Sequence, residues 1–260
     1  MMTIREYSTG QQHVSDKPAP EPPRSADGWS IRTASTTAGA ALLLMSAFAG
    51  FGKFFALDRL VTEGNATQTA RDILASEGLF RLGIVSLILV IALDVVIACA
   101  LYRVFSPVNK SLSILAAAMR LVYSAVFLVA IAQLPGVLRL LTDDGNRAAF
   151  GADQVNAQAS LGLTTFSDIW YVSQFLFGLH LLVEGYLAYR SGYVPRPLGA
   201  LLAIAGLGYA TDSLGAVLSQ SSWTAVSSFT FLGEFLLALW LLVRARRIGA
   251  TASRVLASEL

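Results

Sequence analysis

IWYVSQFLFGLHLLVEGYLAYRSGYVPRPLGALLAIAGLGYATDS, residues 169–213, holds two apolar runs of membrane-spanning length joined by a short basic turn that contains proline. Each run carries ionisable groups where a bilayer offers only hydrocarbon: His180 and Glu184 in the first, Asp212 in the second. Such residues are rare at membrane depth, and they mark a functional site by default.

The rest of the chain agrees with a membrane setting. Hydrophobic residues make up 55% and charged residues 14%, against about 25% charged in an ordinary soluble domain. Mean hydropathy is +0.60. The net charge of +2 comes with scattered arginines, which excludes the clustered basic face of a nucleic-acid binder. Cys99 is the single cysteine and has no intrachain mate, so no disulfide framework exists. Residues 1–33 are polar and proline-rich, without the apolar core and cleavage site of a signal peptide. They are expected to be a disordered cytoplasmic tail ahead of an uncleaved first span.

A helical span needs about 20 predominantly apolar residues. Six segments meet that length, at residues 34–57, 79–103, 111–141, 166–190, 197–218 and 224–244. None alternates as a barrel strand does, and a helix satisfies its own backbone hydrogen bonds in lipid. The expected fold is therefore all-α, a polytopic six-helix transmembrane bundle over residues 34–246, followed by a basic, frayed cytoplasmic tail at 247–260. Gly39, Ala47 and Gly50 in the first span suit close helix approach, and Lys53 is placed to snorkel. Pro135 is expected to kink the third span. Two short surface helices are expected in the non-cytoplasmic loops. The first carries Ala66, Thr69, Ala70, Ile73 and Leu74 at helical spacing, and the second Ala148, Ala152, Val155, Ala159 and Leu163.

Lys and Arg counts set the orientation. With the N-terminus inside, Arg103, Lys110, Arg190, Arg196 and the arginines from Arg244 onward fall on the cytoplasmic side, and Asp58, Glu63, Asp72, Asp143, Asp144 and Asp153 on the other. Both termini are then cytoplasmic, in a cell inner membrane. A faint echo links LYRVFSPVNKSL after the second span with AYRSGYVPRPL after the fourth. It fits a duplicated half and fits equally a pair of tight cytoplasmic hairpins.

At 1.5 Å per residue, Asp94 and Arg120 both lie roughly 13 Å from the cytoplasmic end, so they are able to meet. A purely structural bridge that fixes helix register is one reading of that pair. His180 and Glu234 lie about 15 Å deep, and Glu184, only about 9 Å from that end, is able to snorkel toward the cytoplasm. Asp212 sits nearer the outer side, on a face with Gly208 and Gly215. Four carboxyls, Asp94, Glu184, Asp212 and Glu234, thus stand against one fixed cation, Arg120. Compensation comes either from protonated carboxyls acting as hydrogen-bond donors or from a hydrated cavity for a proton, a cation or a cationic solute, with His180 suited to titration near neutrality. A plain helix-packing role for the lone histidine is the competing reading.

Other chemistries find little support. His13 and His180 are the only histidines, which leaves no bis-His haem or His-rich zinc set. No Walker loop, nucleophile elbow or dinucleotide fingerprint is present, and GLG at 206–208 reads as packing. Arg81 reads as a headgroup contact.

ASEGLFRLG with Asp94 downstream, SPVNKSLSILAAAMRLV, FGLHLLVEGYLAYRSGYVPRPLGALLAIAGLGYATDS and GEFLLALWLL follow one another in an order that resembles the bacterial membrane proteins grouped as Domain of Unknown Function 4386, over about residues 30–247. The resemblance implies a six-helix bundle and supports Arg81, Asp94, Arg120, His180, Arg190, Pro195, Arg196, Asp212 and Glu234 as positions of the family pattern. It implies no catalytic residue and no cofactor. Glu184 departs from it, an apolar residue being expected there.

Three functions remain. In the first, a polar cavity lined by Asp94, Arg120, His180, Asp212 and Glu234 binds or passes a small solute or protons. In the second, a non-transporting scaffold uses buried ions only to specify packing. The third, an intramembrane enzyme using the carboxylates as acid and base, lacks a nucleophile or metal set. The expected partners are the lipid bilayer and a small solute, cation or proton.

Overall fold

The computed structural model describes residues 29–219 and 232–258. Among these residues the chain is helical, with no strand. Six long helices form its frame: α1 (Ile31–Gly50), α3 (Glu77–Phe105), α4 (Lys110–Ile131), α7 (Ala152–Arg190), α8 (Arg196–Ser219) and α9 (Leu232–Ser258). Three short ones complete it: α2 (Ala66–Ala75), α5 (Gln133–Thr142) and α6 (Asp144–Phe150). Packing runs in a closed ring, α1 against α3, α3 against α4, α4 against α7, α7 against α8, α8 against α9, and α9 back against α1.

Among the described residues, five stretches are long and apolar enough to cross a membrane: Ile31–Leu60, Glu77–Phe105, Lys110–Thr142, Ala152–Arg190 and Arg196–Leu218. Their outer faces are bare hydrocarbon, as at Leu82, Val85 and Ile88 on α3 and Leu121, Val122 and Val129 on α4. A belt of that kind needs lipid rather than water around it, and the chain is a multi-pass membrane protein. The sixth expected span begins at 224, outside the described residues, and resumes as α9 at Leu232. The tail from 247 is helical through Ser258 instead of frayed. Of the N-terminal tail, residues 1–28 lie outside the described residues, and α1 starts at Ile31, where Ser30 accepts from the backbone N–H of Thr33 at 3.0 Å.

Hydroxyls within the spans are absorbed locally. Ser35, Ser46 and Ser124 each donate to the carbonyl four residues back at 2.8 Å, which satisfies those hydroxyl protons within their own helix. The third span breaks at Ala132, and Pro135 falls in the first turn of α5. Proline has no N–H to bond back to Ile131, so the helix stops and restarts there. Phe51–Leu57 continues α1 as a π-helical segment, for which the sequence carries no local signal.

The loop helices depart from expectation. α2 forms where the spacing predicts it, but Thr69, Ala70 and Ile73 are buried against the protein, with α7 and α5 as neighbours. The second surface helix is no separate element. After α6, Gly151 at φ +78° turns the chain, and α7 then runs unbroken for 39 residues, about 58 Å. No proline interrupts it, and Thr164 and Thr165 bond back to Ser160 and Leu161. Val155, Ala159 and Leu163 are buried as their spacing predicts, whereas Ala148 and Ala152 are exposed.

α7 and α8 approach through glycines seven apart on each helix, Gly178 and Gly185 facing Gly206 and Gly199. A Cβ on Gly178 would stand 2.6 Å from the carbonyl oxygen of Gly206. Small residues at that spacing bring two backbones together in a membrane, where dispersion is the main attraction. Gly39 packs in the same way on Ala238 of α9, whereas Gly50 meets nothing within 4 Å and Ala47 is exposed.

The candidate intramembrane ion cluster

Arg120 lies in the middle of the ring and is 0% exposed. Its guanidinium fork reaches four other helices. Nε donates to Oδ1 of Asp94 on α3 at 2.8 Å. Nη1 donates to Oε1 of Glu234 on α9 at 2.9 Å and lies 3.1 Å from Nε2 of His180 on α7. Nη2 contacts the sulfur of Met45 on α1 at 3.4 Å, and the ring of Phe177 covers the cation at 5.5 Å. Only a planar donor array meets so many partners at once, and a lysine ammonium would not.

Burying such charges costs several kcal/mol per ion unless each is paired. The depths read from the sequence explain how the pairing arises. Asp94, Arg120, His180 and Glu234 all lie about the same distance from one end of the bundle, so helices packed in a ring bring them to one point.

His180 is fixed by its other nitrogen. Nδ1 lies 2.9 Å from the carbonyl oxygen of Ala116. A carbonyl only accepts, so Nδ1 carries a proton and Nε2 is left to act as an acceptor in the neutral ring. Two groups compete for Nε2. Arg120 offers it an N–H, and Oε2 of Glu184, one turn along α7, stands 2.8 Å away. That short approach is an ion-pair distance without hydrogen-bond alignment, because both carboxyl oxygens of Glu184 lack a hydrogen-bond partner. The alignment decides the bonding, and in this geometry Nε2 belongs to Arg120.

Glu184 is 1% exposed. It does not snorkel, and it is a full member of the cluster, which sequence reasoning had left out as a departure from the family pattern. The signal was present in its four-residue spacing from His180. Phe177 was likewise legible, three residues before His180 on the same face. Met45 and the Ala116 carbonyl carry no sequence signal.

The cluster therefore holds three carboxyls, of Asp94, Glu184 and Glu234, around one fixed cation. Oδ2 of Asp94 also has no hydrogen-bond partner. Asp212 is buried on α8 but is not among the groups that touch Arg120. By the register that sets Gly178 opposite Gly206 and Ala210, it lies roughly 9 Å further along the bundle than His180. Arg81 is exposed and paired with Glu77 through Nε at 2.8 Å. Lys53 pairs with Asp58 and lies over the ring of Trp170 at 5.0 Å.

Beside His180 and Glu184 is a small cavity between α3, α4 and α7. Tyr102, Phe105, Ser113, Ala116 and Ala117 help to line it, and the volume open to a water's centre is about 10 Å³. That admits about one water and no larger solute. At this end of the bundle the turn between α7 and α8 is tied to α3 and α9. Gly192 takes φ +73°, Tyr193 donates its hydroxyl to the carbonyl of Val104 at 2.6 Å, and Trp240 Nε1 donates to the Tyr193 carbonyl at 3.2 Å. Burial pushes the Tyr193 phenol well above its ordinary range, which keeps it a donor. The His/Cys/Asp/Glu side chains of the described residues include no group of three or more arranged to hold a metal ion.

The chain is 34% identical over 171 residues to an uncharacterized protein of the archaeon Archaeoglobus fulgidus, covering 65% of this chain and 88% of that one. No solved structure matches the chain. The family model described as domain of unknown function DUF4386 matches residues 37–245, the part that holds every member of the ion cluster, and the chain belongs to that family.

Proposed function

We propose that the chain is a six-pass protein of the cytoplasmic membrane, with both termini inside, whose Arg120-centred cluster binds a proton. The observation that carries this reading is the double claim on Nε2 of His180. A neutral ring accepts from Arg120 on α4, whereas a protonated ring donates to Glu184 on its own helix, so one proton exchanges an interhelical bond for one within α7. Charge balance supports the same reading, because three carboxyls around one guanidinium call for added positive charge, and the proton is the cation that fits.

α9, apolar from Leu232 to Val243 apart from Glu234, belongs to the sixth span, and the arginine-bearing ends of α3, α7 and α9 face the cytoplasm. α2 and the first third of α7 then stand on the outer surface.

The cavity beside His180 has room for about one water, which supports a proton rather than a larger solute as what this cluster takes. The dry packing around Arg120 favours, as a second reading, a scaffold in which the ions only fix register. A thermal-shift series on purified protein from pH 5 to 9, with small cations, amines and lipids added in turn, separates these readings, since whatever binds only the folded state raises its midpoint. Proton binding predicts a pH response that His180→Gln abolishes, with no response to solutes. A response that is flat across pH and unchanged by His180→Gln selects the scaffold, and a shift with an amine or metal cation selects a solute site.

A further inference from the structure

We propose that Glu184 is the port through which protons reach the cluster, entering from the end of the bundle that bears Arg103, Lys110, Arg190 and Arg196, while an aromatic stack closes the other end. This rests on the proton-binding reading above. Two independent observations meet at Glu184. Its carboxylate is 1% exposed with neither oxygen hydrogen-bonded, and it lines the one-water cavity. Tyr102, Phe105, Ser113 and Leu187, which share that lining, all lie between the cluster and the arginine-rich end, so the cavity extends from the cluster toward that end.

The opposite direction is filled by rings. Phe177, which covers Arg120, lies 4.8 Å from Tyr123 and 5.2 Å from Tyr209. Tyr123 follows to Phe127 at 5.9 Å, and Phe127 to Trp170 at 5.5 Å. Stacked rings of this kind fill that direction with carbon, and the polar atoms they carry are the hydroxyls of Tyr123 and Tyr209 and the unpartnered Nε1 of Trp170.

The transfer balances without another reactant. A hydronium in the cavity gives its proton to an oxygen of Glu184 and leaves as water. The carboxyl O–H then passes that proton to Nε2 of His180, whose Nδ1–H stays on the Ala116 carbonyl. The product is an imidazolium facing the Glu184 carboxylate, and the Nη1–H of Arg120 loses an acceptor. The other titratable or charged groups around this pair are Asp94 and Tyr102 on α3, Arg120 and Tyr123 on α4, Glu234 on α9, and Tyr209 with the more distant Asp212 on α8.

The test uses the full chain in proteoliposomes loaded with a pH-sensitive dye. Wild-type vesicles are expected to hold an imposed pH gradient. Phe127→Ala or Phe177→Ala is expected to collapse it several-fold faster, and Glu184→Gln added to either is expected to restore it. Leak through the wild type, no leak through either plug variant when both stay folded by their melting midpoint, or leak that survives Glu184→Gln overturns the proposal. Should the plug variants unfold, the ¹⁵N signal of His180 in a His13→Asn background decides. In sealed vesicles it must respond to a pH step imposed on the arginine-rich face alone, and a response to a step on the other face, or equally to either, overturns the port. A His180 that takes up its proton while leak ignores Glu184 removes only the port, whereas a His180 that never titrates removes the reading beneath it.

Discussion

Nη1 of Arg120 stands 3.1 Å from Nε2 of His180, a contact that only an unprotonated ring nitrogen is able to accept, since an imidazolium would face the guanidinium donor to donor. One of the two bonds that His180 makes to α4 is thereby conditional on where one proton lies, while the Nδ1 bond to Ala116 persists. Every other bond of Arg120 survives that proton.

Removing the guanidinium leaves Asp94, Glu184 and Glu234 buried together without their cation. Arg120→Gln is expected to cost about 3–5 kcal/mol, the usual effect of breaking a buried pair on one side. Arg120→Lys is expected to recover only part of it, because an ammonium does not span Asp94, Glu234 and His180 together. Equilibrium unfolding in mixed micelles measures both, and an Arg120→Lys variant as stable as the wild type would show that charge alone matters.

The glycine seam between α7 and α8 makes a sharper contrast. Gly178→Leu places a side chain where the Gly206 carbonyl stands 2.6 Å from the first carbon, and the overpacking is expected to cost about 1–3 kcal/mol or more. Gly50→Leu, with nothing within 4 Å, is expected to stay within about 0.5 kcal/mol. Equal effects in the same unfolding assay would contradict the register described for α7 and α8.

At the arginine-rich end, Tyr193→Phe removes the hydroxyl bond to Val104 while keeping the ring stacked on Phe105 at 6.3 Å. A loss of about 0.5–1.5 kcal/mol is expected. No loss would mean that the turn is held by the ring and the Trp240 bond alone.

Orientation has a direct check in a Cys99→Ala background. Lys110→Cys is expected to react with an impermeant thiol reagent only in inside-out vesicles, and Asp144→Cys only in right-side-out ones. The reverse pattern would place the arginine-rich end outside.

Much of this arrangement was legible in the sequence because depth along a helix is simple arithmetic. Asp94 and Arg120, counted from the same end, meet as that count allows, and Pro135 interrupts its helix through the hydrogen bond it lacks. Asp212 shows the limit of counting, since charge alone assigned it to the site and its level on α8 sets it apart. Glu184 shows the opposite error. Judged by pattern it was a departure, yet its burial beside His180 makes it part of the cluster. The long α7 is not legible as one element, because its polar first part reads as a separate surface helix ahead of the span, although polar residues continue a helix wherever their hydroxyls bond back and no proline intervenes. The closed ring depends on contacts between distant segments, which no local spacing reports.

The central claim concerns one nitrogen, and nitrogen NMR observes it directly. In a His13→Asn variant with ¹⁵N-labelled histidine, reconstituted in nanodiscs, His180 is the only imidazole. The account predicts a proton on Nδ1 and a bare, hydrogen-bonded Nε2 at high pH, with both nitrogens protonated as the pH falls toward 5. A proton found on Nε2 with Nδ1 bare, or a ring whose state never changes between pH 5 and 9, would contradict it.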